Sequence, residues 1–538
     1  MQLRQTAIAS LVAASFAVTA GTSFAQGLTN VFNANPKIAG VTSPTVLSPE
    51  LAQVVRAQGS MLVENPTDAA KYYGYLNDQP NLLPALGSNV EASKTELDKN
   101  TYLVLRGLRG ADSNYDYGTH FLFQGHETGA GYITRINLDA DAAHRVTVLA
   151  TREADGVTPL PTIDGSTWYP WSHRLLFTQE GDGSLSGGVW QATPDYPSAV
   201  TNLQGIIGRG GYEGIQADSD GNIWIVEDIG GSTVAGAKVP NSFVYRFIPK
   251  NRYDLTQGGK LQALQVISKA NPGKPIKFDP SSALTQDIKD LHTYGNVFDT
   301  KWVTIHDTDV DGKAAFNANA LAKSKDATPF KRPENGQFRP GTYFREFYFD
   351  ETGDTSATST ANGAYGGFGS VMRLTQHRPS ADTGKLTMFY LGDQVHSGFD
   401  NVAFWSENYV VFVEDAGDTL HSQRNALDSG YLLDVRKDYS NPENQPIRIL
   451  AQGRDPSATI DSGLLGTGGF QNEGDNEITG IHVSDGDAGT DGLLGAKRPR
   501  PFKDGWRVFY TQQHGDNVTY EIIRNPGRDE DQDDDDRR

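Results

Sequence analysis

One pattern, repeated six times, constrains this chain more than any other feature. Two short strands flank a turn, the second ends in an acidic or amide residue, and a third strand follows. In "GYEGIQADSDGNIWIVEDIGG", residues 211–231, Glu213 and Glu227 stand fourteen apart about a turn at Asp220. "SGFDNVAFWSENYVVFVEDAGD" sets Asp400 and Glu414 fourteen apart about Glu407, and "STWYPWSHRLLFTQEGDG" sets Ser166 and Glu180 fourteen apart about His173. Similar strands end at Glu127, at Glu351, and at Gln513 with His514. The first five units continue into a fourth strand, and the last lacks one.

Such repetition predicts an all-β chain and a six-bladed β-propeller with long insertions between strands. A unit takes roughly 80 residues, against about 40–45 in WD40 repeats, so the surplus falls in insertions such as 268–300 and 452–476. A pair of six-stranded sheets in a sandwich is the structural alternative, but it does not explain why every unit begins and ends alike. The missing last strand fits a closed ring if a segment near the N-terminus supplies it. That segment, 26–100, also predicts one helix over "SPELAQVVRAQGSML", capped by Ser48. The propeller is expected over 101–526 and a disordered acidic tail over 527–538.

The first residues read as a cleavable export signal: Arg4, the apolar run "IASLVAASFAVTA", and small residues at Ser23 and Ala25. Residues 1–25 are expected to be removed, by the general secretory route, leaving a secreted or periplasmic protein. No stretch is long and apolar enough for a spanning helix. The chain has no cysteine, which excludes disulfides and thiolate metal sites. A net charge of −19 argues against nucleic acid or anionic membrane as a partner and suits divalent cations. A monomer is expected.

In a propeller, equivalent hairpin ends point to one face near the axis. Glu127, Glu180, Glu213, Glu227, Asp400 and Glu414 would then converge, and converging carboxylates most simply bind hard cations, calcium first. Any one of them alone is better read as a hairpin-end residue in water. "HDTDVDG" at 306–312 matches the first half of a calcium loop, with Asp307, Asp309 and Asp311, but Ala318 stands where the bidentate glutamate belongs. A polar turn explains it as well. Of eleven histidines, His126 and His514 sit at motif positions. His514 could meet a metal or a leaving group, or be a hydrogen-bonded structural residue. No phosphate-binding Gly-Lys-Ser/Thr loop and no Gly-x-Ser-x-Gly elbow is present.

Taken together, the stretches "GHE" at 125–127, "TWYPWSHRLLFTQEG" at 167–181, "GRGGYEG" with "VED" at 208–228, "ATPFKRPENG" at 327–336, "FDNVAF" with "VED", and "NEITG" with "QQHGD" resemble the PhoX alkaline phosphatase family, in the family's order over about 120–515. The resemblance implies a six-bladed propeller with ferric iron and calcium, hydrolysing small-molecule phosphate esters. It implies that Arg332 holds the substrate phosphate and that Glu334 and Glu477 join the metal ligands, with Arg332 and His514 as candidate catalytic residues. This chain departs from the family at three places. Gln179 replaces the iron-bridging cysteine, Gly181 replaces a carboxylate, and Tyr212 replaces a histidine. Calcium is therefore expected first, with iron or another hard metal as alternatives. Gln179 also favours a second reading, a non-catalytic calcium-binding propeller that takes a ligand or partner. A third is a related hydrolase of phytate or phosphodiesters.

Overall fold

Nearly every regular element in the computed structural model is a strand, and the helices, such as Gln286–Leu291 and Ala318–Ser324, are short. The structure describes residues 27–34, 45–76, 92–416, 420, 423–424, 426–452, 477–513 and 517–527. The export signal, the acidic tail, most of the 452–476 insertion and His514 lie outside the described residues.

The strands form antiparallel meanders of four. Thr101–Val104, His120–Gln124, Ile133–Asn137 and Val146–Ala150 make the first, and Ser166–Tyr169, Arg174–Gln179, Gly188–Ala192 and Val200–Asn202 the second. Tyr212–Ala217 opens the third and Gly336–Phe338 the fourth. These two are joined through Phe298–Asp307 into one nine-stranded sheet. Phe298–Asp307 was not legible in the sequence, where part of it reads as insertion and part as a calcium loop. Phe399–Ser406 opens a sheet whose outer edge, Ile447–Gln452, pairs with Thr45–Leu47. Glu477–Ser484 opens the last sheet, and its edge strand Val518–Arg524 pairs with Leu51–Ala57.

Leu51–Ala57 lies within the segment read as a helix, and it is a strand. Its sequence, LAQVVRA, carries adjacent valines, and pairing along an open sheet edge outweighs a weak helical preference. Arg56 then bonds Glu521 at 2.6 Å, and Arg507 holds the other oxygen of Glu521 at 2.7 Å.

Successive sheets are bonded to one another around a circuit, mostly through their opening strands and, at one step, through Arg174–Gln179. Thr101 Oγ1 lies 2.8 Å from Ser166 Oγ, and Thr178 Oγ1 donates to the Glu213 carbonyl at 2.7 Å. Gly214 N–H donates to the Glu334 carbonyl, Phe404 N–H to Gln337 Oε1, and Gly480 N–H to Asn401 Oδ1. Asn100 Nδ2 donates to the Gly480 carbonyl at 2.7 Å and returns the circuit to the first sheet. Gly214 is required here, because a Cβ would stand 2.7 Å from Asn335 Cα and 2.9 Å from the Glu334 oxygen. The arrangement is propeller-like.

The "HDTDVDG" stretch is an ion-paired turn. Lys250 binds Asp309 at 2.7 Å, Lys260 binds Asp307 at 3.2 Å, and Asp311 accepts from the Asp307 N–H.

Candidate metal centre

Strand bulges decide which carboxylates come together. The register of Tyr212–Ala217 against Ile223–Glu227 slips between Tyr212 and Ile215, and that of Phe399–Ser406 against Tyr409–Glu414 slips between Phe399 and Val402. The extra residues include Glu213 and Asp400. A bulge re-aims the side chains it carries.

Glu213 forms one compact group with Glu180, Asp228 and Glu334, their nearest oxygens all within 4.8 Å of one another. It forms a second with Asp98 and Asp164, and Asp164 forms a third with Glu127 and Glu180. Shared members fuse the groups into one centre. Asp400 and Glu477 border it. Burial first, and then the Glu477 carboxylate and Asp98, push Asp400 well above the usual carboxylate range. Burial and then Asp415 and Glu127 raise Glu477 in the same way.

Glu227 and Glu414 are not brought to this centre. Glu227 pairs across the strands with Tyr212, and Glu414 with Phe399, so each lies one step out of phase with the bulged acids. Both are buried; Glu414 is engaged through both oxygens, whereas Glu227 is engaged through one and its Oε1 has no hydrogen-bond partner among the described residues. Glu227 accepts from Phe243 N–H, Tyr245 Oη and Asn319 Nδ2, at 3.1, 2.9 and 3.0 Å. Glu414 accepts from Arg424 at 2.7 and 3.0 Å and from the backbone of Ser397 and Ser429. Asp228, the residue after Glu227, enters the centre instead. Glu227→Gln is accordingly expected to leave a calcium-dependent rise in Tm intact, whereas Glu213→Gln removes most of it. Melting curves with and without calcium check this, and equal losses would return Glu227 to the centre.

Asp98, Asp164 and Asp228 were not singled out from the sequence. Asp98 and Asp164 lie just before the opening strands of their sheets, where no hairpin pattern marks them. For Asp228 a signal existed, because a glycine inside a strand pattern, here Gly214, indicates a bulge and a change of phase.

The donor set suits a hard cation. Every member is a carboxylate. Asp98 Oδ2, Asp164 Oδ1, Glu213 Oε2 and Asp400 Oδ2 are buried without a hydrogen-bond partner. Burial first, then Glu334 and Asp164, raise the Glu213 carboxyl, and burial and then Asp228 raise Glu180. Such oxygens are costly to bury charged unless a cation faces them. One resident cation is present. Lys99, 2% exposed, donates to Asn335 Oδ1 and Asn401 Oδ1 at 3.1 Å each, and Asn401 Nδ2 in turn donates to Asp98 and Asp400. Gln179 offers no equivalent of a thiolate, and its Oε1 accepts from Gly187 N–H at 3.0 Å.

Arg332 stands at the rim. Its Nε and Nη2 bind Asp228, the latter at 2.7 Å, and Nη2 lies 3.4 Å from Glu334. Its backbone is left-handed, φ 56°, a strained state for a non-glycine residue. Thr352 Oγ1 lies within hydrogen-bond reach of both Glu334 and the Phe399 carbonyl and packs against that carboxylate. His126 is structural: its ring nitrogens lie 2.9 Å from Thr95 Oγ1 and 3.0 Å from Thr134 Oγ1, and the ring stacks on Tyr132.

A family model described as alkaline phosphatase PhoX matches residues 222–486. No curated protein matches the chain. The solved structure of Pseudomonas fluorescens PhoX in complex with vanadate, a transition state analogue, is similar over 93% of this chain and 98% of that chain, at 10% identity and a TM-score of 0.55. At that identity the likeness speaks for the fold. A gluconolactonase from Xanthomonas campestris, XC5397, aligns over 88% of this chain and 100% of its own, at 9% identity and a TM-score of 0.34.

Proposed function

We propose that this chain, which belongs to the alkaline phosphatase PhoX family, is a secreted, metal-dependent hydrolase of small-molecule phosphate esters. The observation that carries the reading is a guanidinium held 2.7 Å from Asp228 and 3.4 Å from Glu334, two members of a four-carboxylate group that is partly to fully buried. That is an anion donor set against a cation site. The closed circuit of bonds between successive sheets supports reading the sheets as six blades, with the centre on their axis.

Glu180, Glu213, Asp228 and Glu334 would hold one cation, and Asp98, Asp164 and Glu127 would extend the site toward a second. Calcium is the first candidate, with iron or another hard metal as alternatives. A hard cation held there would supply Lewis acidity, polarising a phosphoryl oxygen and lowering the pKa of a water. Arg332 does the positioning. Asp228 fixes its Nε and Nη2 edge, while Nη1 makes no hydrogen bond to any described residue and is available to a phosphoryl oxygen. No protein nucleophile is needed. The chain is read as exported by the general secretory route and as a monomer.

Purified protein given p-nitrophenyl phosphate with calcium, manganese or iron, beside an EDTA control, tests this. Chelator-sensitive turnover is expected. No turnover with any metal across pH would favour the second reading, a calcium-binding propeller without catalysis. The engagement of Gln179 with Gly187 supports that alternative.

A further inference from the structure

Between Ile223–Glu227 and Val244–Pro249 the chain inserts a two-stranded ribbon, Thr233–Val234 with Ala237–Lys238. Its tip is tied down by Thr360, which donates from N–H to the Gly236 carbonyl and from Oγ1 to the Ala235 carbonyl. Its far end is held by a buried ion pair. Lys331 Nζ lies 2.6 Å from Asp354 Oδ1, both residues being at most 3% exposed. The pair grips Lys238 on both sides: Lys238 N–H donates to Asp354 Oδ2 at 3.0 Å, and Lys331 Nζ donates to the Lys238 carbonyl at 2.8 Å. Lys331 is also the residue before Arg332, and Thr352 and Gly353 N–H groups hold the carbonyls of Arg332 and Lys331. One buried pair therefore fixes the backbones of both Arg332 and Lys238.

The Lys238 side chain is half-buried, yet its ammonium makes no hydrogen bond or ion pair with any described residue. Burial, and then the Arg332 guanidinium, hold it below the ordinary lysine range, with Asp228, Asp354 and Glu334 acting in the opposite sense. A flexible lysine free to choose would turn to water, away from a like charge. Here the backbone that carries it is gripped on both sides, by Asp354 and by Lys331, beside Arg332. A buried ion pair is a poor source of stability in itself and is better understood as fixing geometry.

We propose that Lys238 is the second cation of a phosphoryl clamp with Arg332, and that the clamp selects the dianionic terminal phosphate of a monoester over a monoanionic diester. This rests on reading the centre as a phosphatase site. The guanidinium would take one oxygen through Nη1, its edge turned from Asp228, and the ammonium another from the ribbon side. A diester offers one charge fewer and places a second substituent where the ribbon stands.

The test compares wild type, Lys238→Gln and Lys238→Arg on p-nitrophenyl phosphate and on bis(p-nitrophenyl) phosphate, at one calcium concentration. Lys238→Gln should lower kcat/KM for the monoester about 10-fold or more, the loss of one charge-assisted contact, mostly through KM. It should change the diester by no more than about 2-fold, since that contact is absent there. Lys238→Arg should restore most of the monoester activity, and the calcium-dependent Tm should not move. Equal losses on both esters, or no loss on either, would overturn the clamp while leaving the phosphatase reading standing. If wild type hydrolyses neither ester, that reading fails, and titration of the calcium-loaded protein with inorganic phosphate decides the clamp alone. Weaker binding to Lys238→Gln supports it, and unchanged binding overturns it.

Discussion

Arg332→Ala is expected to lower phosphatase turnover by about 10²-fold or more, comparable to losing a preorganised donor to transition-state charge. The guanidinium is bound to Asp228 on one edge and carried on a left-handed backbone, so its position is set before substrate arrives. Alanine also leaves Asp228 without its partner at the rim. The carboxylates that would hold the cation stay in place, so folding and the calcium-dependent Tm should survive. Steady-state kinetics beside melting curves check both halves. An Arg332→Ala protein with wild-type turnover would remove the reason for calling this a phosphatase site.

Chelation should lower Tm by several degrees, and calcium should restore it. A cation that binds only the folded chain contributes about 2.7 kcal/mol at a hundred times its Kd. The pH dependence of the chelated protein gives an independent check. Glu334 is pushed up to about 8, by burial first and then by Asp228, against an ordinary glutamate near about 4.3. Between those values the folded chain without metal retains a proton that the unfolded chain has released. Its stability therefore falls as pH rises through that window. With calcium bound the slope should reverse, because protons compete with the cation for the same oxygens. Melting curves indifferent to chelator and calcium would sink the metal centre.

Hairpins, third strands and their order were legible in the sequence because alternation and turn residues are local signals. The bulges were not, and they determine the site. The expectation that Glu213 and Glu227 converge assumed an unbroken ladder. The slip between Tyr212 and Ile215 sends Glu213 to the carboxylate cluster and leaves Glu227 among Tyr245 and Asn319. The same slip separates Asp400 from Glu414. Glu180, Glu213 and Glu334 were found by pattern and motif, whereas Asp98 and Asp164 precede their strands and carry no pattern of their own. The segment 48–62 misled for a different reason: its partner, Val518–Arg524, lies at the other end of the chain, and no local preference reports such a neighbour.

That distant pairing has a consequence for the molecule's dealings with its own kind. Arg56 and Glu521 are 465 positions apart, yet they join the first residues of the sheet system to the last. Without Leu51–Ala57, the outer groups of Val518–Arg524 would form an open row of donors and acceptors, a template for strand addition from another molecule. A chain clipped after its early fifties, or one still awaiting its final strand, carries that sticky margin. The clasp that completes the sheet also keeps neighbouring copies from completing it in its place.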